Sequence, residues 1–314
     1  MKTLWLTDAW ETLDHRRDTT LRLIEESLAL GHEACWCDPS GVRFESRVIA
    51  RCRRVLGTAA TRDADGWELA PAQDLELRGF DAVHYRADPP VDRRYWEHLQ
   101  LLAMVERGGP EIVNPISVLT RISDKLGPTA LVRALPPTIA SSSWECLRAF
   151  GLAEGRTVLK PLGDAQSRGV ELLDWSSPSS VERARCAIET MSERFSRPIL
   201  LQRFLAEVYG GEKRLWFADG KLLACVRKRP PEGTFVIDMD KHAACEPCEL
   251  KESESRLAAA IGDAFRSERI RLAAVDFIGN HVTDWNLTSP GMIPMMERVL
   301  QRNLARPIIE TLVR

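Results

Sequence analysis

The sequence predicts an α/β protein: a doubly wound parallel sheet in the first third, then a mixed α+β half. Two observations predict the opening unit. The order strand, helix, strand runs through Leu4–Asp8, Asp18–Gly31 and Ala34–Cys37, with Asp18 as N-cap and Gly31 as a glycine stop. Further short strands at Asp81–Arg86 and Ile112–Asn114 flank a helix at Arg94–Arg107. A third observation predicts the rest: beyond Pro198 the apolar residues fall in short β-type runs separated by turn signals.

The centre carries strands at Thr157–Leu162 and Val170–Asp174 around the loop Gly163–Gly169, and then a helix opened by the serine-rich stretch 176–180. Strands follow at Ile199–Phe204, Lys213–Phe217 and Leu222–Arg227, the last two joined by the Asp219-Gly220 turn. A helix near 254–267 precedes a hairpin over 273–291 with its turn at Gly279-Asn280, and a last helix follows Pro294. The chain therefore divides into an N-terminal α/β unit (1–117), a central unit (118–196) and a C-terminal unit (197–314). No repeat or low-complexity tract interrupts it.

Bulk properties exclude several classes. With 314 residues, 44% apolar and 28% charged, the chain has the composition of an ordinary globular protein with room for several packed units. Forty-three Lys and Arg against 45 Asp and Glu leave a net charge of −2 without a long run of one sign, so nucleic-acid binding is not expected. No signal-peptide core and no run near ~18 apolar residues is present, which predicts a cytoplasmic protein without a membrane partner. The eight cysteines are scattered. Cys245 and Cys248, with His242 nearby, resemble half a zinc site without its second half, and reduced thiols are the default.

The 273–291 hairpin carries the most chemistry. Asp284 and Asn286 are two apart and leave one face of their strand, and the turn brings Asp276 opposite them. Three hard oxygen donors without thiol or imidazole suit Mg²⁺ (or Mn²⁺) shared with phosphates. On spacing alone, the same residues equally describe a solvated polar face. Lys125 and Lys160 suit contacts to α- and β-phosphates, with Gln166 and Gly169 in the adjoining loop. The strand edge Gln202, Arg203, Phe204 and Leu205 offers backbone groups to a purine. Glu207 or Glu212 suits ribose hydroxyls, and Arg214 closes the same stretch. Arg229, in the basic cluster Arg227 to Arg229, suits a transferring phosphoryl group; its alternative is a solvated strand end.

Taken together, these segments resemble the ATP-grasp superfamily, and bacterial glutathione synthetases in particular. Thr7-Asp8, Arg17–Thr20, Arg86–Asp92 and Val113–Pro115 are similar to that family's substrate-side unit. Asp124-Lys125, Leu159–Leu162, Gln202 and Asp219-Gly220 match its nucleotide-binding segments, and Val275-Asp276 with Asp284–Pro290 its metal-binding segment. The run Pro161–Val170 is closer to the loop of ribosomal-protein glutamate ligases. The resemblance implies an ATP-grasp fold and ATP and Mg²⁺ as cofactors. It implies an amide-forming reaction between small-molecule carboxylate and amine substrates through an acyl phosphate, and a homo-oligomer.

Departures bear on the substrate. Asp284 stands where the family usually has Glu. After Gly233 the family carries an Asn and a Gly-Gly pair, whereas this chain has Thr234–Ala243 without glycine, so side chains fill space where backbone normally approaches ligand. Asp238 and Lys241 are candidate replacement contacts, and Arg86 and Asp88 candidate substrate contacts. A nucleotide-binding sensor without ligase activity, or a ligase that modifies a partner polypeptide, are the rival expectations.

Overall fold

The computed structural model describes residues 1–57, 66–165, 167–239 and 243–313. The opening βαβ unit is β1 (Lys2–Leu6), α1 (Thr19–Ala29) and β2 (Glu33–Cys37). Asp18 caps α1 by accepting the Leu21 N–H at 2.8 Å, which satisfies one of the unpaired donors at a helix start. An antiparallel extension then follows: β3 (Val42–Glu45), β4 (Arg47–Gly57), β5 (Glu68–Leu69) and β6 (Gln73–Glu76). After it come β7 (Ala82–Tyr85), α2 (Arg93–Glu106) and β8 (Glu111–Val113). The sheet order is β3-β4-β2-β1-β7-β8, with β5 and β6 pairing to β4 and with β2, β1, β7 and β8 parallel. The parallel half matches the expectation, while β3 to β6 had no counterpart in it. In β4 the buried Val48, Ala50, Cys52 and Val55 are interspersed with Ile49, Arg51, Arg53 and Arg54, a strand pattern blurred by small apolar residues and heavy charge.

Two short helices, α3 (Ile116–Arg121) and α4 (Gly127–Val132), lead to the central sheet. Its elements are β9 (Thr138–Ser141), α5 (Trp144–Glu154), β10 (Arg156–Lys160), β11 (Glu171–Asp174), α6 (Pro178–Met191) and β12 (Ile199–Arg203). The order is β11-β10-β12-β9, antiparallel throughout, and Leu147, Leu159, Trp175, Ile188 and Leu201 form its core. A division at 196/197 would put β12 in the C-terminal unit. Instead β12 hydrogen-bonds between β10 and β9, and so belongs with the sheet before it.

The last sheet has the order β15-β14-β13-β16-β17 and is antiparallel. It comprises β13 (Glu212–Ala218), β14 (Lys221–Arg229), β15 (Ala244–Pro247), β16 (Leu272–Ile278) and β17 (His281–Asn286), with α7 (Glu252–Ser267) between β15 and β16. Two helices, α8 (Ile293–Leu300) and α9 (Ala305–Leu312), stand where one was expected after Pro294. Both predicted turns form: Asp219, Gly220 and Gly279 hold positive φ, which glycine adopts without steric penalty. Leu215, Phe217, Val275 and Phe277 pack on Ile261 and Phe265 of α7. Trp216, Val226 and Ala274 share a core with Ile293, Met296 and Ile308. No helix among the described residues is long and apolar enough to cross a membrane.

Asn114 pins the first sheet to the last. Its Nδ2 donates to the carbonyls of Leu272 and Leu287 at 2.7 and 2.8 Å, and its Oδ1 accepts the N–H groups of Arg271 and Leu272 at 2.8 and 2.9 Å. The residue is buried, so no water replaces these bonds. Asn114→Leu leaves four backbone groups without partners, each worth about 1–3 kcal/mol when buried and unmade. The expected loss of unfolding free energy in urea titration is about 3 kcal/mol or more; a loss under ~1 kcal/mol would contradict this role.

Candidate active site

A cavity of about 1030 Å³ opens where the three sheets meet. Charge enters it from the β13–β14–β16–β17 end of the last sheet. Register explains why: Arg214 pairs with Asp276, Asp276 with Asp284, and Glu212 with Lys228, so these side chains are neighbours across the ladder. Asp276 receives the Arg214 fork, Nε to Oδ1 at 2.9 Å and Nη2 to Oδ2 at 2.5 Å, and the Lys228 Nζ at 3.1 Å. Asn286 Nδ2 also donates to it at 3.3 Å. Lys228 forms a second, short ion pair with Glu212. Burial pushes the Asp276 carboxyl up, but Arg214 and Lys228 overcome that and hold it well below the usual range. Burial raises Glu212, which Lys228 only partly offsets.

Two lysines face this group, one from the end of β10 and one from the turn between α3 and α4. Lys160, at the end of β10, donates to Gln202 Oε1 at 3.1 Å and the Thr283 carbonyl at 3.3 Å, and lies 3.8 Å from Asp284 Oδ2. Burial lowers its pKa, with Asp284 opposing. Lys125 Nζ donates to the Asp164 carbonyl at 2.8 Å and sits 3.5 Å from Asp284 Oδ1. That Asp284 oxygen is buried and has no hydrogen-bond partner. Asp124 fastens the hairpin to this point: its Oδ1 accepts the Leu287 N–H at 3.1 Å and its carbonyl the Trp285 N–H at 2.8 Å. Burial pushes its carboxyl up to about 7, with the nearby Asp284 charge adding to the rise.

An apolar wall lies along the Gln202–Leu205 edge. Phe204 meets Phe235 edge-on at 5.7 Å between centroids and carries the Arg156 guanidinium over its ring at 4.4 Å. The central loop closes onto the first unit, since Val91 N–H donates to the Gly163 carbonyl at 2.7 Å and Arg168 to the Pro89 carbonyl at 2.6 Å. Ser167 donates to the Ile237 carbonyl at 3.2 Å, and Arg17 to that of Met239 at 3.1 Å. Segment 235–239 is thereby held along the cavity.

Most of the predicted site residues converge on this one cavity: Lys125, Lys160, Gln202, Arg203, Phe204, Leu205, Glu212, Arg214, Arg86, Asp88, Asp238, Asp276, Asp284 and Asn286 all line it. Within that wall, the Arg203 guanidinium turns to Glu154 at 2.5 Å. Arg86 is buried and donates to Thr20 Oγ1 at 2.9 Å and the Pro290 carbonyl at 2.8 Å. Its place is therefore partly structural, tying β7 to α1 and to the loop after β17. Gln166 and Lys241 lie outside the described residues.

Three expectations need correction. Arg229 does not line the cavity; it pairs with Glu246 at 2.9 Å and donates to the Gly210 carbonyl at 3.1 Å. Glu207 is exposed on the turn after β12, and Gly169 serves a positive-φ turn; neither lines the cavity. The cation that β14 delivers is Lys228. The signal for it was present, because Ala224, Val226 and Lys228 are buried on one face by the period of two, which turns Arg227 and Arg229 away. Asp124 was read only as part of a motif, and nothing local marks it as the anchor of a hairpin more than 150 residues away.

This architecture is the ATP-grasp fold. The chain superposes on D-cycloserine synthetase DcsG with a TM-score of 0.70 at 18% identity, covering 99% of this chain and 98% of that one. Against D-alanyl-alanine synthetase A from Vibrio cholerae the TM-score is 0.62 at 15% identity, covering 100% and 99%. The family itself follows from sequence. The model for the prokaryotic glutathione synthetase ATP-grasp domain matches residues 124–301, and that for the N-terminal domain of the same enzymes matches residues 1–119. A glutathione synthetase of Parasynechococcus marenigrum is 32% identical over 313 residues, 99% of each chain. One of Xanthomonas campestris pv. campestris is 28% identical over 292 residues, covering 92% of this chain and 90% of that one. The chain belongs to the prokaryotic glutathione synthetase family and is an ATP-dependent ligase that forms an amide bond.

The Lys228 assignment has a direct check. Lys228→Met is expected to lower ATP turnover by about 100-fold or more, the scale of losing one preorganised charge contact. Arg229→Met is expected to stay within a few-fold of wild type. Steady-state kinetics on variants with native circular dichroism decide it; the reverse ranking would return the role to Arg229.

Proposed function

We propose that this ligase passes the γ-phosphoryl group of ATP to a substrate carboxylate, giving an acyl phosphate that an amine then converts to the amide. The observation that carries this reading is the convergence of Lys125, Lys160, Lys228 and Arg214 with Asp276, Asp284 and Asn286 in one cavity. Phosphoryl transfer requires positioning and charge neutralisation more than covalent chemistry from the protein. In this account Lys125 and Lys160 hold phosphate oxygens and orient the chain of phosphates. Lys228 and Arg214 face the charge that moves from nucleotide to carboxylate. The backbone of Gln202–Leu205 and the ring of Phe204 receive the purine, with Glu212 beside the ribose. The contacts from Gly163 and Arg168 to Pro89–Val91 keep water from the acyl phosphate. We take the central unit as ending with Arg203, so that adenine sits between the second and third sheets.

A hard divalent cation fits the hairpin in partnership with phosphates. Asp284 has a buried oxygen without a hydrogen-bond partner, and Asp276 and Asn286 stand beside it. Among the described residues, no group of three or more His, Cys, Asp or Glu is placed to hold a metal alone, which suits an ion that completes its shell with substrate oxygens. Asp276, Asp284 and Asn286 would hold that ion, and when bound it would neutralise negative charge on the phosphates. Lys125 and Lys160 lie 3.5 and 3.8 Å from the Asp284 carboxylate and hold it in place.

For substrates we take γ-glutamylcysteine and glycine, the pair implied by the name of the relatives. Arg86, Asp88 and Asp238 are the side chains we assign to them. Phe235, Val236, Ile237 and Met239 line the cavity where the family carries small residues, so the acceptor end is narrower and more apolar. The purified protein with Mg²⁺-ATP, γ-glutamylcysteine and glycine is expected to release phosphate and form glutathione together. Asp284→Ala, which should fold normally, is expected to lose about 100-fold or more of both. Phosphate release without glutathione would overturn the substrate assignment, and an active Asp284→Ala protein would overturn the metal assignment.

A further inference from the structure

Five of the eight cysteines need no special explanation. Cys35, Cys37 and Cys52 are buried in the first core, and Cys146 and Cys186 lie singly on exposed helix surface. Cys225, Cys245 and Cys248 differ, because all three sit half-buried at the edge of the last sheet. The local pair Cys245 and Cys248 is not the one the fold brings together. Strands β14 and β15 run antiparallel with Arg227 opposite Glu246 and Val226 opposite Pro247. One step further along that ladder sets Cys225 opposite Cys248. Their sulfurs lie 3.0 Å apart, one thiol hydrogen-bonded to the other.

Cross-strand neighbours in an antiparallel ladder have Cα atoms about 4.5–5.5 Å apart, within the span of about 4.4–6.8 Å that a disulfide bridges. From the register and the sulfur contact together, we propose that Cys225 and Cys248 form a reversible thiol–disulfide exchange site for low-molecular-weight disulfides. The surroundings favour an attacking thiolate at Cys248. The two thiols share one hydrogen bond, and beside Cys248 both Lys213 and Arg227 add positive charge, which favours its thiolate.

The exchange balances without any further reagent. The Cys248 thiolate attacks one sulfur of an external disulfide RSSR, forming a mixed disulfide and releasing RS⁻. Cys225 then loses its proton to solvent and attacks the Cys248 sulfur, displacing the second RS⁻. Two protein thiols are oxidised, and the external disulfide is reduced to two thiols. The product staples β15, an edge strand, to β14 and closes the base of the segment that lines the cavity. Lys228 is three residues from the staple, on the same strand. The site is independent of which substrates the ligase joins.

The test treats the full-length protein with hydroxyethyl disulfide, followed by non-reducing peptide mass mapping. The expected product is a peptide pair linked through Cys225 and Cys248, lighter by two hydrogens and restored by dithiothreitol. Cys225→Ser, which changes only one atom, is expected instead to hold a stable mercaptoethanol adduct at Cys248. A link from Cys248 to Cys245 would overturn the proposal. So would stable adducts at both wild-type thiols, or free thiols at both positions after Cys146 and Cys186 have reacted.

Discussion

Asp276 is the interaction on which the rest of the site depends. It lies on a central strand, buried, between a guanidinium that grips both its oxygens and an ammonium shared with Glu212. Desolvating a carboxylate is expensive, and only such close, hydrogen-bonded partners repay it. Removing one member of such a set typically costs about 3–5 kcal/mol, because the remaining charges stay buried without compensation. The arrangement therefore fixes where β13, β14, β16 and β17 sit relative to one another at their charged end.

The same sheet face serves two purposes along its length. At one end Trp216, Ala224 and Ala274 are adjacent across the ladder and enter an apolar core with α8 and α9. Two residues further along, Arg214, Val226 and Asp276 form the next row, and Glu212 with Lys228 the one after. The period of two keeps all of them on one side, so the apolar rows anchor the charged rows. Asn114 and Asp124 then bind this sheet to the other parts of the chain through backbone bonds, which hold Lys125 and Lys160 against Asp284. The charge that lines the cavity is thus positioned by packing that begins well away from it.

What could be read from the sequence follows from how local each signal is. The two hairpins were legible because Asp219-Gly220 and Gly279-Asn280 announce their turns, and the opening βαβ unit because Asp18 and Gly31 bracket a helix. The extension from β3 to β6 was not, since the arginines and small apolar residues interspersed in β4 give little contrast between faces. Strand β12 was recognised as a strand but grouped with the C-terminal unit, because pairing partners that lie 40 or more residues away leave no mark on the strand itself. In the site, residue types were legible and directions less so. Lys228 and Arg229 offer equal charge, and only the alternation inherited from Ala224 and Val226 separates them. The closure of Gly163 and Arg168 over Pro89–Val91 uses backbone carbonyls, which any residue supplies.

The central claim is that ATP activates a carboxylate by direct phosphoryl transfer within this charged cavity. Oxygen transfer tests it most directly. γ-Glutamylcysteine carrying ¹⁸O in its cysteinyl carboxylate, incubated with Mg²⁺-ATP, glycine and the protein, should yield inorganic phosphate containing one ¹⁸O for each amide formed. Amide formation with ¹⁸O found in AMP, or with unlabelled phosphate, would contradict the account and assign these lysines and carboxylates to a different activation chemistry.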